Sequence, residues 1–108
     1  MPRTSRRDDF FKRGLHRLFA REIRHGSDMV DRAREMVELW EREISPRPVY
    51  VDAWKDILSH DDQEVARLIT APTEEMDRWR CSTPFVPNLL DVPTRLRFQK
   101  KLRKLAPL

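Results

Sequence analysis

GSDMVDRAREMVELWEREISP, residues 26–46, is the most sharply framed stretch of this 108-residue chain, and its reading decides the fold class. Gly26 stops whatever precedes it, Ser27 is able to cap a new helix, and Pro46 closes the far end. Between those boundaries Val30, Ala33, Val37, Trp40 and Ile44 recur at spacings of three and four, which places them on one helical stripe. Met29 and Met36 widen it. The opposite side is mostly charged, with Asp28, Asp31, Arg34, Glu35, Glu38, Glu41, Arg42 and Glu43. A helix over 27–44 with so broad an apolar face needs other helices to cover it, so it is read as the central strut of a bundle.

Working outward, the preceding segment predicts a helix over 5–25. Ser5 with Asp8 three residues on resembles a capping box, and Gly26 ends the run. Phe11, Leu15 and Leu18 share its apolar face, with Phe19 and Ile23 at the edge. At about 100° per residue, Arg6, Arg13, Arg17 and Arg24 line up on a different face, with Arg21 close by. Phe10 falls nearer to these arginines than to the apolar face. An aromatic among arginines reads either as an anchor for a partner or as a ring folded over the domain edge.

Beyond residue 44, Ser45-Pro46-Arg47-Pro48 is a stiff connector, because each proline disfavours helix in the residue before it. A short helix over 51–59 buries Tyr50, Trp54, Ile57 and Leu58. Asp61 with Glu64 caps a helix over 62–70 that buries Val65, Leu68 and Ile69. Thr73 caps a further short helix with Met76 and Trp79 as core residues and Glu74 and Glu75 in its first turn. Residues 82–92 hold Pro84 and Pro87 and are too apolar for a free linker, so an extended segment inserting Phe85, Leu89 and Leu90 is expected. Pro93 suits the first turn of a last helix, to about residue 105, with Phe98, Leu102 and Leu105 on one stripe and Arg97, Lys100, Lys101 and Lys104 clustered opposite. No strand alternation or internal repeat is visible. The fold class is therefore all-α: a compact single-domain bundle of five or six helices, comprising a basic N-terminal helix, a central body over 27–81, and a Pro-rich segment with a basic C-terminal helix over 82–105.

Composition narrows the chemistry. With two glycines, a Gly-rich phosphate-binding loop is excluded. One cysteine, Cys81, has no internal disulfide partner and favours a reducing compartment. No apolar run approaches the ~20 residues that cross a bilayer, and no signal-peptide core follows the basic N-terminus. A cytoplasmic protein without a membrane span is expected. His16, His25 and His60 have no partners at metal-ligand spacing and read as surface or helix-end residues. Cys81 lies near Arg78 and Arg80 but has no identifiable base, and reads as a partly buried small residue. The acid pairs all stand where helices begin, where capping explains them. No catalytic residue, metal site or cofactor is expected, and the chain is not read as an enzyme.

The net charge of +4 hides an uneven layout. Residues 1–25 carry eight Arg or Lys against three acids, residues 91–108 carry six against one, and the middle has eight against fourteen. Such basic ends either fold back and neutralise the middle, the arrangement that needs no outside molecule, or project toward an anionic partner. A helix-turn-helix reading of 51–70 is disfavoured, because the supposed recognition helix opens on Asp61, Asp62 and Glu64. The functional expectation is a regulatory or inhibitory protein of the antitoxin, anti-activator or phage-inhibitor kind, binding a larger protein or nucleoprotein. The alternative is a nucleic-acid-binding protein that uses its basic terminal helices. The candidate contact residues are Arg6, Phe10, Arg13, Arg17, Arg21, Arg24, Arg97, Lys100, Lys101 and Lys104, and a homodimer through an exposed apolar face is a further option.

Overall fold

The computed structural model describes residues 6–86 and 89–105, without the side chains of Arg6, Arg7, Leu102 and Leu105. Ser5 and Pro87 lie outside the described residues. Within them the chain is all-helical and forms a single globule of six helices with no strand: α1 (Arg6–Arg24), α2 (Met29–Glu43), α3 (Val49–Leu58), α4 (Asp62–Ile69), α5 (Glu74–Arg80) and α6 (Val92–Leu105).

The boundaries follow local chemistry. Gly26 closes α1 at a φ of +94°, a left-handed conformation that a Cβ would strain. Ser27 does not stand at the formal cap position, but its Oγ accepts the Met29 N–H at 3.2 Å. Asp61 and Thr73 cap α4 and α5, accepting from the Glu64 and Met76 amides at 2.9 and 3.1 Å. The C-terminal carbonyls of α3 are met from outside: Arg34 of α2 donates to the Leu58 and His60 carbonyls, each at 2.9 Å.

The helix with the most neighbours is α1, which packs against α2, α4, α5 and α6, whereas α2 lies chiefly against α3. This differs from the sequence reading, in which 27–44 is the strut. The reason lies in residue size and phase. α1 and α4 each bury alanines completely, Ala20 and Ala66, so their backbones approach closely. The buried residues of α1 are Phe19, Ala20 and Ile23, while Leu15 and Leu18 are only partly covered, so its core-facing side is turned from the Phe11–Leu15–Leu18 face. Phe19 stacks on Phe98 of α6 with centroids 5.0 Å apart and lies 6.0 Å from Phe85. Trp54 is fully buried against this cluster and donates its indole N–H to the Trp79 carbonyl at 3.1 Å. Phe85 and Leu90 are buried as expected and Leu89 partly so, and the Leu89 amide donates to the Val86 carbonyl at 3.0 Å.

Candidate functional site

The circumference of α1 divides into three sides, each with a different chemistry. The first is the core side just described. The second meets α5 through an ion-pair network. Arg13 grips Asp77 with both arms of its fork, Nε to Oδ1 at 2.8 Å and a terminal nitrogen to Oδ2 at 2.6 Å. Asp77 Oδ1 also accepts from Arg80 at 2.9 Å, and Arg80, 1% exposed, donates to the Ile69 and Ala71 carbonyls at 2.8 Å each. Arg80 Nε has no partner. The Arg13 hydrogen bonds above all, then the Arg80 contact, outweigh burial and hold the Asp77 carboxyl at about 2. Arg13 therefore serves the interior, and the α5 reading of Met76 and Trp79 as its core residues omitted the buried Asp77 and Arg80. Their spacing of three marks a helical pair. Nothing in that spacing signals burial.

His16 sits beside this network and corrects another expectation, since it is fully buried rather than at the surface. Its Nδ1–H donates to the Lys12 carbonyl and its Nε2 accepts from the Thr83 hydroxyl, both at 2.8 Å, and Thr83 Oγ1 in turn accepts the Phe85 amide. One carbonyl at Nδ1 and one hydroxyl at Nε2 fix the neutral tautomer. Burial lowers its pKa to about 4, aided by Arg80 and opposed by the Lys12 carbonyl. His25 caps the end of α1 through its Nδ1 and the Arg21 carbonyl, and His60 is exposed, as their positions suggested. Cys81 is exposed rather than partly buried, with its Sγ 3.3 Å from the Asp77 carbonyl and 3.6 Å from Lys12 Nζ. Among the described residues no group of three His, Cys, Asp or Glu is placed to hold a metal ion, and no helix is long and apolar enough to cross a membrane.

The third side of α1 faces solvent. It carries Arg17, Arg21 and Arg24, all exposed, and Phe10, 68% exposed. None of these arginines has a carboxylate within ion-pair distance among the described residues, and neither do Arg97, Lys100, Lys101 or Lys104 of α6. Arg97 bonds only the Thr94 hydroxyl, at 3.2 Å. The body is different. Arg32 pairs with Asp28, Arg34 with Asp31, Arg47 with Glu41 and Asp52, Lys55 with Glu41, and Arg67 with Glu64. Among the described candidate cations, Arg13 has a carboxylate of the acidic middle, Asp77, within ion-pair distance and the others have none. α6 lies along α1, which brings the two basic helices side by side, and the Arg6 side chain is outside the described residues. No known protein family, curated protein or solved structure matches the chain.

Proposed function

We propose that this chain is a small cytoplasmic, non-catalytic regulatory or inhibitory module that works by occupying an acidic surface on a larger protein or nucleoprotein. The contact is made by the solvent side of α1, with Phe10 as apolar anchor and Arg17, Arg21 and Arg24 as its charged surround. The observation that supports this reading is the split in the charge network: five arginines of the body and its edge pair with internal carboxylates, while these three have none among the described residues. Phe10, 68% exposed beside these guanidiniums, contributes little burial to the fold and offers a partner an apolar anchor.

The same free cations support a second reading, nucleic-acid binding through α1 and α6 by phosphate contacts that position without specifying. A tagged pull-down from the source cell, with and without nuclease at two salt concentrations, separates the two. The protein-partner reading expects a stoichiometric protein that survives nuclease and is lost with Phe10→Ala. Recovery of nucleic acid alone, with binding that falls steeply with salt, survives Phe10→Ala and disappears in the Arg17→Ala/Arg21→Ala/Arg24→Ala variant, overturns it in favour of the second.

A further inference from the structure

Helices α3 and α5 together define a second surface, apart from the solvent side of α1. α3 and α5 touch only lightly and leave an open groove of about 590 Å³ between them. Its floor is apolar: Val49, Ala53 and Ile57 from one side of α3, Met76 and Trp79 from α5. Val49 is 68% exposed, an apolar side chain left largely uncovered among the described residues. The rim is acidic. Asp52 holds Arg47 at 2.8 Å, but the carboxylates of Asp56 and Glu75 have no cation within ion-pair distance among the described residues. Along α3 the groove runs from Val49 to Ile57, a little over two turns or ~12 Å at the helical rise, enough to seat two turns of a docked helix.

A helix of matching chemistry lies elsewhere on the same molecule. Phe98 fastens α6 to the core, and on the far side of α6 Val92 and Leu96 are 56% and 55% exposed. They are one turn apart, and the stripe continues into Lys100 and Arg103, both exposed. Two apolar knobs followed by two cations complement an apolar floor with an acidic rim. Charge also dictates the orientation. Groove against groove would oppose Asp56 and Glu75 to themselves, and α6 against α6 would oppose Lys100 and Arg103 to themselves. Of these three pairings, groove against α6 is the one that attracts.

We propose that the α3–α5 groove receives the Val92–Leu96 face of α6 from a second copy of this chain, in a head-to-tail contact. Such a contact is heterologous, so each copy keeps one unused groove and one unused α6 face, and association extends with concentration unless a ring closes. A helix-wide contact falls in the class below about 1,200 Å² of buried surface, which makes it weak and reversible. It uses neither Phe10 nor the α1 arginines, and so stands or falls apart from the function proposed above.

The test is sedimentation equilibrium of the full chain over a concentration series reaching ~1 mM, where contacts of millimolar affinity are half formed. The wild type is expected to rise above its 13.0 kDa monomer mass. Leu96→Asp and Asp56→Lys, both at exposed positions, are each expected to remain monomeric, because every contact needs one intact groove and one intact α6 face. Their equimolar mixture regains one productive pairing and stops at a 1:1 complex of twice the monomer mass. A wild type that stays monomeric overturns the proposal, even if the groove binds some other basic helix. So does association that survives in either variant, or a mixture that stays monomeric. Should either variant lose its helical circular dichroism, Val92→Asp and Val49→Lys replace the pair and are judged by the same outcomes.

Discussion

Asp77→Asn removes the anion that bridges two guanidiniums, and its cost can be worked from the geometry. Arg80 is 1% exposed and stays where it is, tied to the Ile69 and Ala71 carbonyls, so the substitution leaves a buried cation without its counter-charge. Breaking a buried pair from one side costs about 3–5 kcal/mol. Arg13 is 32% exposed, so its share is screened and adds little. The proton linkage gives a lower figure. A carboxyl held at about 2 instead of 3.8 is worth roughly 2 kcal/mol. That counts only the loss of charge, whereas the amide also turns an N–H group toward donors that need an acceptor, so the expected loss lies between the two. A domain of this size is stable by about 5–15 kcal/mol, so the variant gives up a large fraction.

The sign of the pH dependence follows. The unfolded chain protonates this carboxyl near 3.8 and the folded one near 2, so the stabilisation is complete above about pH 4, shrinks as pH falls, and is gone below about pH 2. Urea unfolding followed by circular dichroism, at neutral pH and then stepwise into acid, reads both effects. Asp77→Asn is expected to have a lower midpoint at neutral pH and a shallower decline below about pH 4. A loss under about 1 kcal/mol with an unchanged acid slope would refute the reasoning, since it would mean that water, and not Asp77, compensates Arg80.

His16 governs the acid range above that window. Its folded pKa of about 4 lies below the ordinary 6.5, so the unfolded chain takes up the proton first and stability falls as pH drops from about 6.5 to about 4, by roughly 3 kcal/mol. His16→Gln is expected to be less stable at neutral pH yet flat across that range in the same urea series. Asp61→Ala and Thr73→Ala each remove a single side-chain cap on an amide of α4 or α5, and each is expected to cost about 1 kcal/mol by thermal unfolding. Phe10→Ala is expected to leave the melting temperature unchanged, because a ring 68% exposed contributes little burial, while weakening partner capture.

Where the sequence was legible, a single residue type did the signalling within a turn or two. Gly26, Asp61, Thr73 and the prolines around residue 46 mark chain reversals and caps whose physics is local, and the helices begin and end within a few residues of them. The apolar periodicity likewise identified Val30, Ala33, Val37, Trp54, Ile57, Val65, Ile69 and Phe98 as buried, and the apolar character of 82–92 did the same for Phe85. What was not legible depends on how many sides of a helix are covered. α1 has a charged side toward α5 and a histidine toward Thr83, and a hydrophobic stripe cannot show that Arg13, His16, Asp77 and Arg80 are interior residues. Asp77 and Arg80 look like an ordinary surface pair three apart, as Arg67 and Glu64 in fact are. For the candidate site the stripe of arginines was visible from helical phase alone. The departure of Arg13 from it was not, because the acid that captures it lies 64 positions along the chain.

That capture changes what the remaining arginines can do. A cationic stripe on a marginal terminal helix would pay the full entropy of ordering both helix and side chains on binding. Here the opposite sides of α1 are anchored, by Phe19, Ala20 and Ile23 in the core and by the Arg13–Asp77 fork against α5. The solvent side is thus a fixed backbone on which Arg17, Arg21 and Arg24 rise at intervals of about 6 and 4.5 Å along the axis, with Phe10 roughly 10 Å before them. Breaking the fork with Asp77→Ala should therefore reach the contact surface without touching it: partner affinity should drop even under conditions where the chain remains folded. Arg17→Lys, which keeps the charge and the scaffold, should lose only what bidentate geometry supplies. If Asp77→Ala binds as tightly as the parent while measurably destabilised, the α1 face does not depend on its anchoring, and recognition resides in charge alone.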